Sequence, residues 1–350
     1  MDPPTATKPQ VTARKSSGNP FARVREIADL CVKCGLCLPH CPTYRLNGIE
    51  GESPRGRISL IQGLTDGALP ASDRIAEHLD NCTGCLSCQA VCPANVLYGE
   101  LIDLGRAELR RRGRKRRVAA RMLAMLSRSP PVTVILLRLL RPARRLGIDR
   151  HELRKVLARD NWLGRVLTSL PVPERNAALR PSANRGAPAE GRQVMLFTGC
   201  VSRSVDPATL TDTTRVLERI GYRVNVPSAQ VCCGALDLHA GEPGKARTNA
   251  ARNCAAFGTD GQPILTVASG CAATLVQYDR LSPRDCERLS CRVASVEAFI
   301  EDHWAADTPV LGPLAGRVMI FEPCTARNVL PRPSATRRLL ARIPALDIVE

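Results

Sequence analysis

The chain has 350 residues and is 44% hydrophobic, so it can bury a core and wholesale disorder is excluded. Lys and Arg outnumber Asp and Glu by 50 to 33, giving +17. However, 13 of those 17 net charges come from residues 106–150, which hold 15 basic and 2 acidic side chains. Local basicity and only 3% aromatic residues speak against a nucleic-acid surface spread over the whole chain.

Residues 1–20 are rich in Pro, Thr, Ser and Lys and lack an apolar segment or cleavage pattern, so they are expected to be a disordered N-terminus rather than a signal peptide. No stretch reaches the roughly 18 apolar residues that a membrane-spanning helix needs. The expected location is therefore the cytoplasm, where thiols stay reduced and grouped cysteines bind metal rather than pair.

Cys31, Cys34, Cys37 and Cys41 precede Pro42, and Cys82, Cys85, Cys88 and Cys92 precede Pro93. Each group reads C-x2-C-x2-C-x3-C-P, the bacterial ferredoxin run for a [4Fe–4S] cluster. Two-residue gaps turn three thiolates towards one cubane, and the fourth points to the other. Cluster one is thus assigned Cys31, Cys34, Cys37 and Cys92; cluster two takes Cys82, Cys85, Cys88 and Cys41. Structural zinc, which takes four ligands as two separated pairs, fits this ladder poorly. Two clusters with crossed ligands lie close together and suit an electron relay. Arg57–Leu64 and Ser72–Leu79 read as helices, the second with Ser72 as N-cap, so the domain over 21–104 is expected to be mostly helical with clusters between helices. His40 is not expected to be a ligand, because cysteines fill both sites.

Residues 105–192 form a basic helical connector and linker. Arg110-Arg111-Arg112 and Arg114-Lys115-Arg116-Arg117 precede the short apolar run Val132–Leu137. A solvated helix beside a core helix and a face for an anionic membrane or acidic partner both fit this pattern. Nucleic acid fits less well, because no aromatic residue is interleaved.

From residue 193 strands and helices alternate, which predicts an α/β layer with a parallel sheet. Strands are expected at Gln193–Thr198, Tyr222–Val226, Ile264–Ala268 and Arg317–Phe321. Helices are expected at 207–220, with Asp206 as cap and Gly221 as stop, and at Glu242–Phe257. Cys200, Cys271 and Cys324 each follow a predicted strand end, where such sheets place their ligands, and Cys232-Cys233-Gly234 lies in a loop. Cys254, Cys286 and Cys291 read as plain small hydrophobes. The half also repeats. Val194-Met-Leu-Phe-Thr-Gly-Cys200 matches Val318-Met-Ile-Phe-Glu-Pro-Cys324 at an offset of 124, and Thr213–Ile220 matches Thr336–Ile343 at 123. A duplicated module is therefore expected over 193–312 and 313–350, the second copy cut short at Glu350 in a chain that would run to about 400 residues.

Cys31-Val-Lys-Cys34-Gly-Leu-Cys37, Ser53-Pro-Arg-Gly-Arg57 and Cys82-Thr-Gly-Cys85-Leu-Ser-Cys88 resemble the iron–sulfur subunits of bacterial glycolate oxidase (glycolate dehydrogenase). Cys232-Cys233-Gly234 and Ser269-Gly270-Cys271 resemble the cysteine-rich CCG domain that this family shares with heterodisulfide reductase, anaerobic glycerol-3-phosphate dehydrogenase and lactate-utilisation proteins. The resemblance implies an α plus α/β protein: a helical ferredoxin-type domain, then two CCG modules. It implies two [4Fe–4S] clusters, and a further cluster on Cys200, Cys232, Cys233 and Cys271, although the wider family's Cys-x-x-Cys ending is here Cys271-Ala-Ala-Thr274. Cys324 alone represents the second CCG site. The implied function is electron transfer from FAD-containing dehydrogenase subunits, which oxidise glycolate or another 2-hydroxy acid, towards a quinone-type acceptor, with peripheral membrane contact and no hydride chemistry in this chain. A heterodisulfide-type thiol enzyme and a cluster-bearing regulator are the alternatives.

Overall fold

The computed structural model of the chain describes residues 20–113, 192–282, 286, 288–304 and 310–349. The expectations for residues 1–19 and for the basic stretch over 114–191 lie outside the described residues. Two compact units result, one on each side of that stretch.

The first unit is helical: α1 (Pro20–Ala28), α2 (Pro42–Asn47), α3 (Pro54–Thr65), α4 (Asp73–Asp80), α5 (Ser87–Ala90) and α6 (Tyr98–Arg111). Helix α3 starts earlier than expected because Ser53 caps it: its hydroxyl accepts the Gly56 N–H while Pro54 fills N1, where no N–H is needed. Ser72 caps α4 in the same way, through the Ile75 N–H. The core draws Val24 and Ile27 from α1, Ile58, Ile61 and Leu64 from α3, Leu79 from α4 and Leu101 from α6. Helices α3 and α6 meet where a Cβ on Gly105 would stand 2.6 Å from Ile61 Cγ1, so the crossing needs glycine. The cysteine loops follow α1 and α4, so both are anchored on this core.

In the second unit β1 (Arg192–Phe197), β2 (Tyr222–Asn225), β3 (Ile264–Thr266) and β4 (Val293–Ser295) form a parallel sheet in the order β2-β1-β3-β4. Along central β1 the pleat sends Val194 and Leu196 to one apolar cluster, with Leu210, Leu217 and Phe299, and Met195 and Phe197 to the other, with Phe257, Leu275 and Tyr278. Asp206 caps the helix Pro207–Arg219 by accepting the Thr209 N–H. Gly221, at φ 88°, ends it with a turn that only glycine takes without strain. The chain repeats in space as well as in sequence. β5 (Gly316–Met319) pairs in parallel with β6 (Leu346–Val349), and Gly316 opposes Leu346 as Arg192 opposes Tyr222, so both strands recur 124 residues on.

Three expectations change. Strand β3 stops at Thr266, because the chain turns into the helix Ser269–Leu275. The fourth strand of the main sheet is Val293–Ser295, whereas Arg317 and its neighbours build the separate two-stranded sheet. Cys254 and Cys286 are buried as expected but joined by a disulfide, their Cα atoms 5.5 Å apart, since both face one apolar cluster within bridging distance. Cys291 is exposed.

Candidate functional site

The two cysteine loops share one backbone device. The residue before the second cysteine and the residue after it both have positive φ: Lys33 (59°) and Gly35 (84°) in the first loop, Gly84 (65°) and Leu86 (58°) in the second. Alternation with left-handed residues curls the chain and turns successive N–H groups inward, the concavity that suits an anionic iron–sulfur group. Lys33 and Leu86 hold this conformation without being glycine, a strain typical of functional loops. Lys33 is held in place by Nζ bonds to Ser59 Oγ (2.7 Å) and Gln62 Oε1 (3.2 Å).

Each loop opens onto a cavity. One is lined by Cys31, Cys34 and Cys37 of the first run and by Cys88 and Cys92 of the second. The other is lined by Cys82, Cys85 and Cys88 of the second run and by Cys41 of the first. Cys88, Pro54 and Tyr98 border both, so the cavities adjoin. The second cavity has four thiols around it, three from one run and one from the other, the donor set that a cubane requires; the first has Cys31, Cys34, Cys37 and Cys92, with Cys88 on the wall it shares with the second. Among the described residues no three His, Cys, Asp or Glu side chains gather around a single-ion position. Cys34 is exposed, whereas Cys41 and Cys88 are buried, so the second cavity is the more sheltered. His40 is exposed.

The segment Ser53-Pro-Arg-Gly-Arg57 ties the loops together. Arg55 Nη1 reaches the Lys33 carbonyl in the first loop (3.2 Å) and pairs with Glu50 through Nε (2.7 Å). A Cβ on Gly56 would lie 1.9 Å from the Glu50 carbonyl oxygen, so only glycine fits this approach. Arg57 turns inward beside the second cavity. Sequence inspection found this segment without finding its role. It also missed Tyr98, whose buried hydroxyl lies 3.7 Å from Cys82 Sγ, and Arg106, whose Nη2 donates to the carbonyls of Leu79 (2.8 Å) and Cys82 (3.0 Å). Burial pushes the Cys88 and Cys37 thiols up, and Tyr98 likewise, so without a metal these groups stay protonated. A cluster that took Cys37 and Cys88 as thiolates would displace those two thiol protons, which would couple metal loading to the fold of both loops.

In the second unit Cys200, Cys232, Cys233 and Cys271 converge at the C-terminal ends of β1 and β3. Cys200 Sγ donates to Cys232 Sγ at 3.4 Å. Hydrogen bonding to Cys232, then burial, pushes Cys200 up; hydrogen bonds with Cys232 and Cys271, then burial, push Cys233 up; and the hydrogen bond from Cys233 pulls Cys271 down. The Cys271 thiol is thus easier to deprotonate than those of Cys200 and Cys233. A buried network that sequence inspection missed fixes the Cys232-Cys233 backbone. Asn253 Oδ1 accepts the Val231 N–H (2.8 Å), its Nδ2 donates to the Cys232 carbonyl (3.2 Å) and to Tyr278 Oη (2.9 Å), and Tyr278 donates to the Cys233 carbonyl (2.8 Å). The Thr274 hydroxyl, where the wider family places a cysteine, donates instead to the Gly270 carbonyl one turn back (3.1 Å). Cys324 is exposed at the start of the helix Cys324–Val329, whose Thr325 Oγ1 donates to Ser269 Oγ (3.0 Å).

Residues 27–96 match the 4Fe-4S dicluster domain family, and residues 194–276 match the Cysteine-rich domain family, CCG. Fold, cavities and matches together define an iron–sulfur protein in which a helical dicluster unit is joined to an α/β cysteine-rich module. The chain is 30% identical to the "Probable glycolate oxidase iron-sulfur subunit" of Bacillus subtilis (strain 168), over 91% of this chain and 76% of that protein. It is 34% identical to the "Glycolate oxidase iron-sulfur subunit" of Escherichia coli (strain K12), over 73% of this chain and 59% of that one. "Lactate utilization protein A" of Geobacillus kaustophilus (strain HTA426) is 28% identical over 45% of this chain and 67% of its own length. This chain belongs to the family of glycolate oxidase iron–sulfur subunits. No solved structure matches it.

Proposed function

We propose that this chain is the electron-transfer subunit of a flavin-dependent 2-hydroxy-acid dehydrogenase, with glycolate the first candidate substrate. The observation that carries the proposal is the pair of adjoining cavities, which reach the fourth cysteine of the opposite run in each case and share Cys88 between them. Cys31, Cys34, Cys37 and Cys92 would hold cluster one; Cys41, Cys82, Cys85 and Cys88 would hold cluster two. Such clusters carry one electron at a time, which suits them to relay the electron pair of a partner's FAD towards a quinone-type acceptor. The chain's own residues keep the sites in place. Left-handed residues curl both loops into concavities that suit an anionic group, and Arg57 of α3 and Tyr98 of α6 line the second cavity. Exposed Cys34, with Val32 and Leu36 beside it at 72% and 57% exposure, makes the first cavity the one open to a partner. In this account the hydroxy acid is oxidised on the partner subunit, and this chain works in the cytoplasm, with peripheral contact at the inner membrane face. Among the described residues no helix is long and apolar enough to cross a membrane.

Cys200, Cys232, Cys233 and Cys271 are proposed to hold a further iron–sulfur group, with Cys324 the first cysteine of a second such site. The likeness to a lactate-utilisation protein supports a second substrate, lactate, through the same relay. The test is isolation of the intact complex under anaerobic conditions with a panel of 2-hydroxy acids. Glycolate should bleach the cluster absorbance through a co-purifying flavoprotein. Bleaching by lactate alone would move the substrate, and bleaching by neither acid would overturn the proposal.

A further inference from the structure

Arg57 is 1% exposed, and its guanidinium is bound on every side. Nε donates to the His78 carbonyl (2.6 Å), Nη1 to the Glu52 carbonyl (2.6 Å) and to Thr43 Oγ1 (3.1 Å), and Nη2 to Glu52 Oε2 (2.5 Å). The same Nη1 stands 4.0 Å from Cys41 Sγ, and the side chain lines the second cavity. Glu52 is buried as well. Its Oε1 lies 2.7 Å from His78 Nδ1 and accepts from Asn81 Nδ2 (3.0 Å).

Stability is a poor reason for such a pair, because desolvating two charges offsets much of their attraction and apolar residues of similar volume serve as well. Their order is more telling. Arg57 Nη1 faces Cys41 Sγ, whereas the Glu52 carboxylate binds the other amino group, Nη2, together with His78 and Asn81. Reduction adds negative charge to a cluster, so a cation beside it stabilises the reduced state, and a buried cation acts through a lower effective dielectric than a surface one. The carboxylate held on Nη2 opposes this. Arg55, which lines the first cavity, offers a contrast: its side chain is 31% exposed, and water and salt screen its charge.

We propose that Arg57 is a positioning residue that raises the reduction potential of cluster two, with Glu52 limiting how far. This rests on the ligand assignment proposed above. The test is an anaerobic redox titration of the full chain, followed by electron paramagnetic resonance, on Arg57→Gln, Arg57→Lys and Glu52→Gln, with iron content measured on each. Arg57→Gln should shift the cluster-two midpoint negative and leave cluster one in place. Arg57→Lys, which keeps the charge, should restore most of the shift. Glu52→Gln, which keeps the shape, should shift the midpoint positive. Equal shifts in the Gln and Lys variants, or a negative or absent shift in Glu52→Gln, would overturn the inference. If Arg57→Gln does not assemble cluster two, the Lys and Glu52 variants decide; loss of cluster two in both of those would make the pair a folding element and overturn it too. Absence of cluster two from the unaltered chain would instead refute the ligand assignment itself.

Discussion

Asn253→Leu tests whether the cysteine pair of the second unit is held by the buried amide beneath it. The exchange roughly keeps volume and removes three hydrogen bonds: from the Val231 N–H, to the Cys232 carbonyl and to Tyr278 Oη. Tyr278 retains its own bond to the Cys233 carbonyl, so its loss is partial. The Val231 N–H and the Cys232 carbonyl are left half-buried and unsatisfied, each at about 1–2 kcal/mol, taking the lower part of the range for buried groups. The loop over 228–236 should then open more easily by about 2–4 kcal/mol, and 2 kcal/mol is already about 30-fold in an opening equilibrium. Hydrogen exchange by mass spectrometry on the full chain reads this directly: peptides covering 228–236 should exchange at least about 30-fold faster, with β1 peptides nearly unchanged. Unchanged exchange over 228–236, or a uniform acceleration across the unit, would refute the reasoning.

Further expectations follow from the same unit. Alkylation of the denatured chain without reductant should spare Cys254 and Cys286, and replacing both with Ala should cost about 3–4 kcal/mol, from the 32-residue separation of the bridged positions; labelling of both without reductant would contradict the bridge. Glu301, on the helix Val296–Asp302, accepts a charge-assisted hydrogen bond from Arg338, which holds its carboxyl below the usual carboxylate range. A depressed folded-state value contributes stability above the unfolded-state value of about 4.3 and loses it as pH falls through the folded one. Thus the excess protection of peptides over 335–340 in the unaltered chain relative to Glu301→Gln should be full at neutral pH and shrink on acidification below about pH 4; a gap independent of pH would remove the pair from the account.

What could be read in the sequence was whatever a few neighbouring residues decide. Ser72 and Asp206 cap their helices as their positions suggest, because capping is settled within one turn. The cysteine runs carry their own geometry in their spacing, and the 124-residue offset reappears in strand register. What could not be read depends on contacts distant in sequence. Strand β4 is a three-residue stretch with no alternation of its own, recruited by pairing with β3. Arg57 is legible as the start of a helix, and only the packing of α3 against the Glu50–Glu52 turn and α4 buries it. Asn253 falls at helical spacing with Ala246, Ala250 and Phe257, so its burial was legible, but its role as an anchor for Cys232 was not. The Cys254–Cys286 bridge depends on how a helix presents one face to a segment beyond β3.

The central claim is that the two runs exchange their fourth cysteine, and the iron content of two double variants, prepared anaerobically in the full chain, tests it most directly. Cys34→Ala with Cys92→Ala removes two ligands of one cluster if the runs are crossed, so iron from the other cluster, about four atoms per chain, should remain. Cys34→Ala with Cys41→Ala should strike both clusters and leave little iron in either. The opposite pattern, with iron retained when Cys34 and Cys41 are replaced and lost when Cys34 and Cys92 are, would mean that each run closes on its own cluster and would contradict the account.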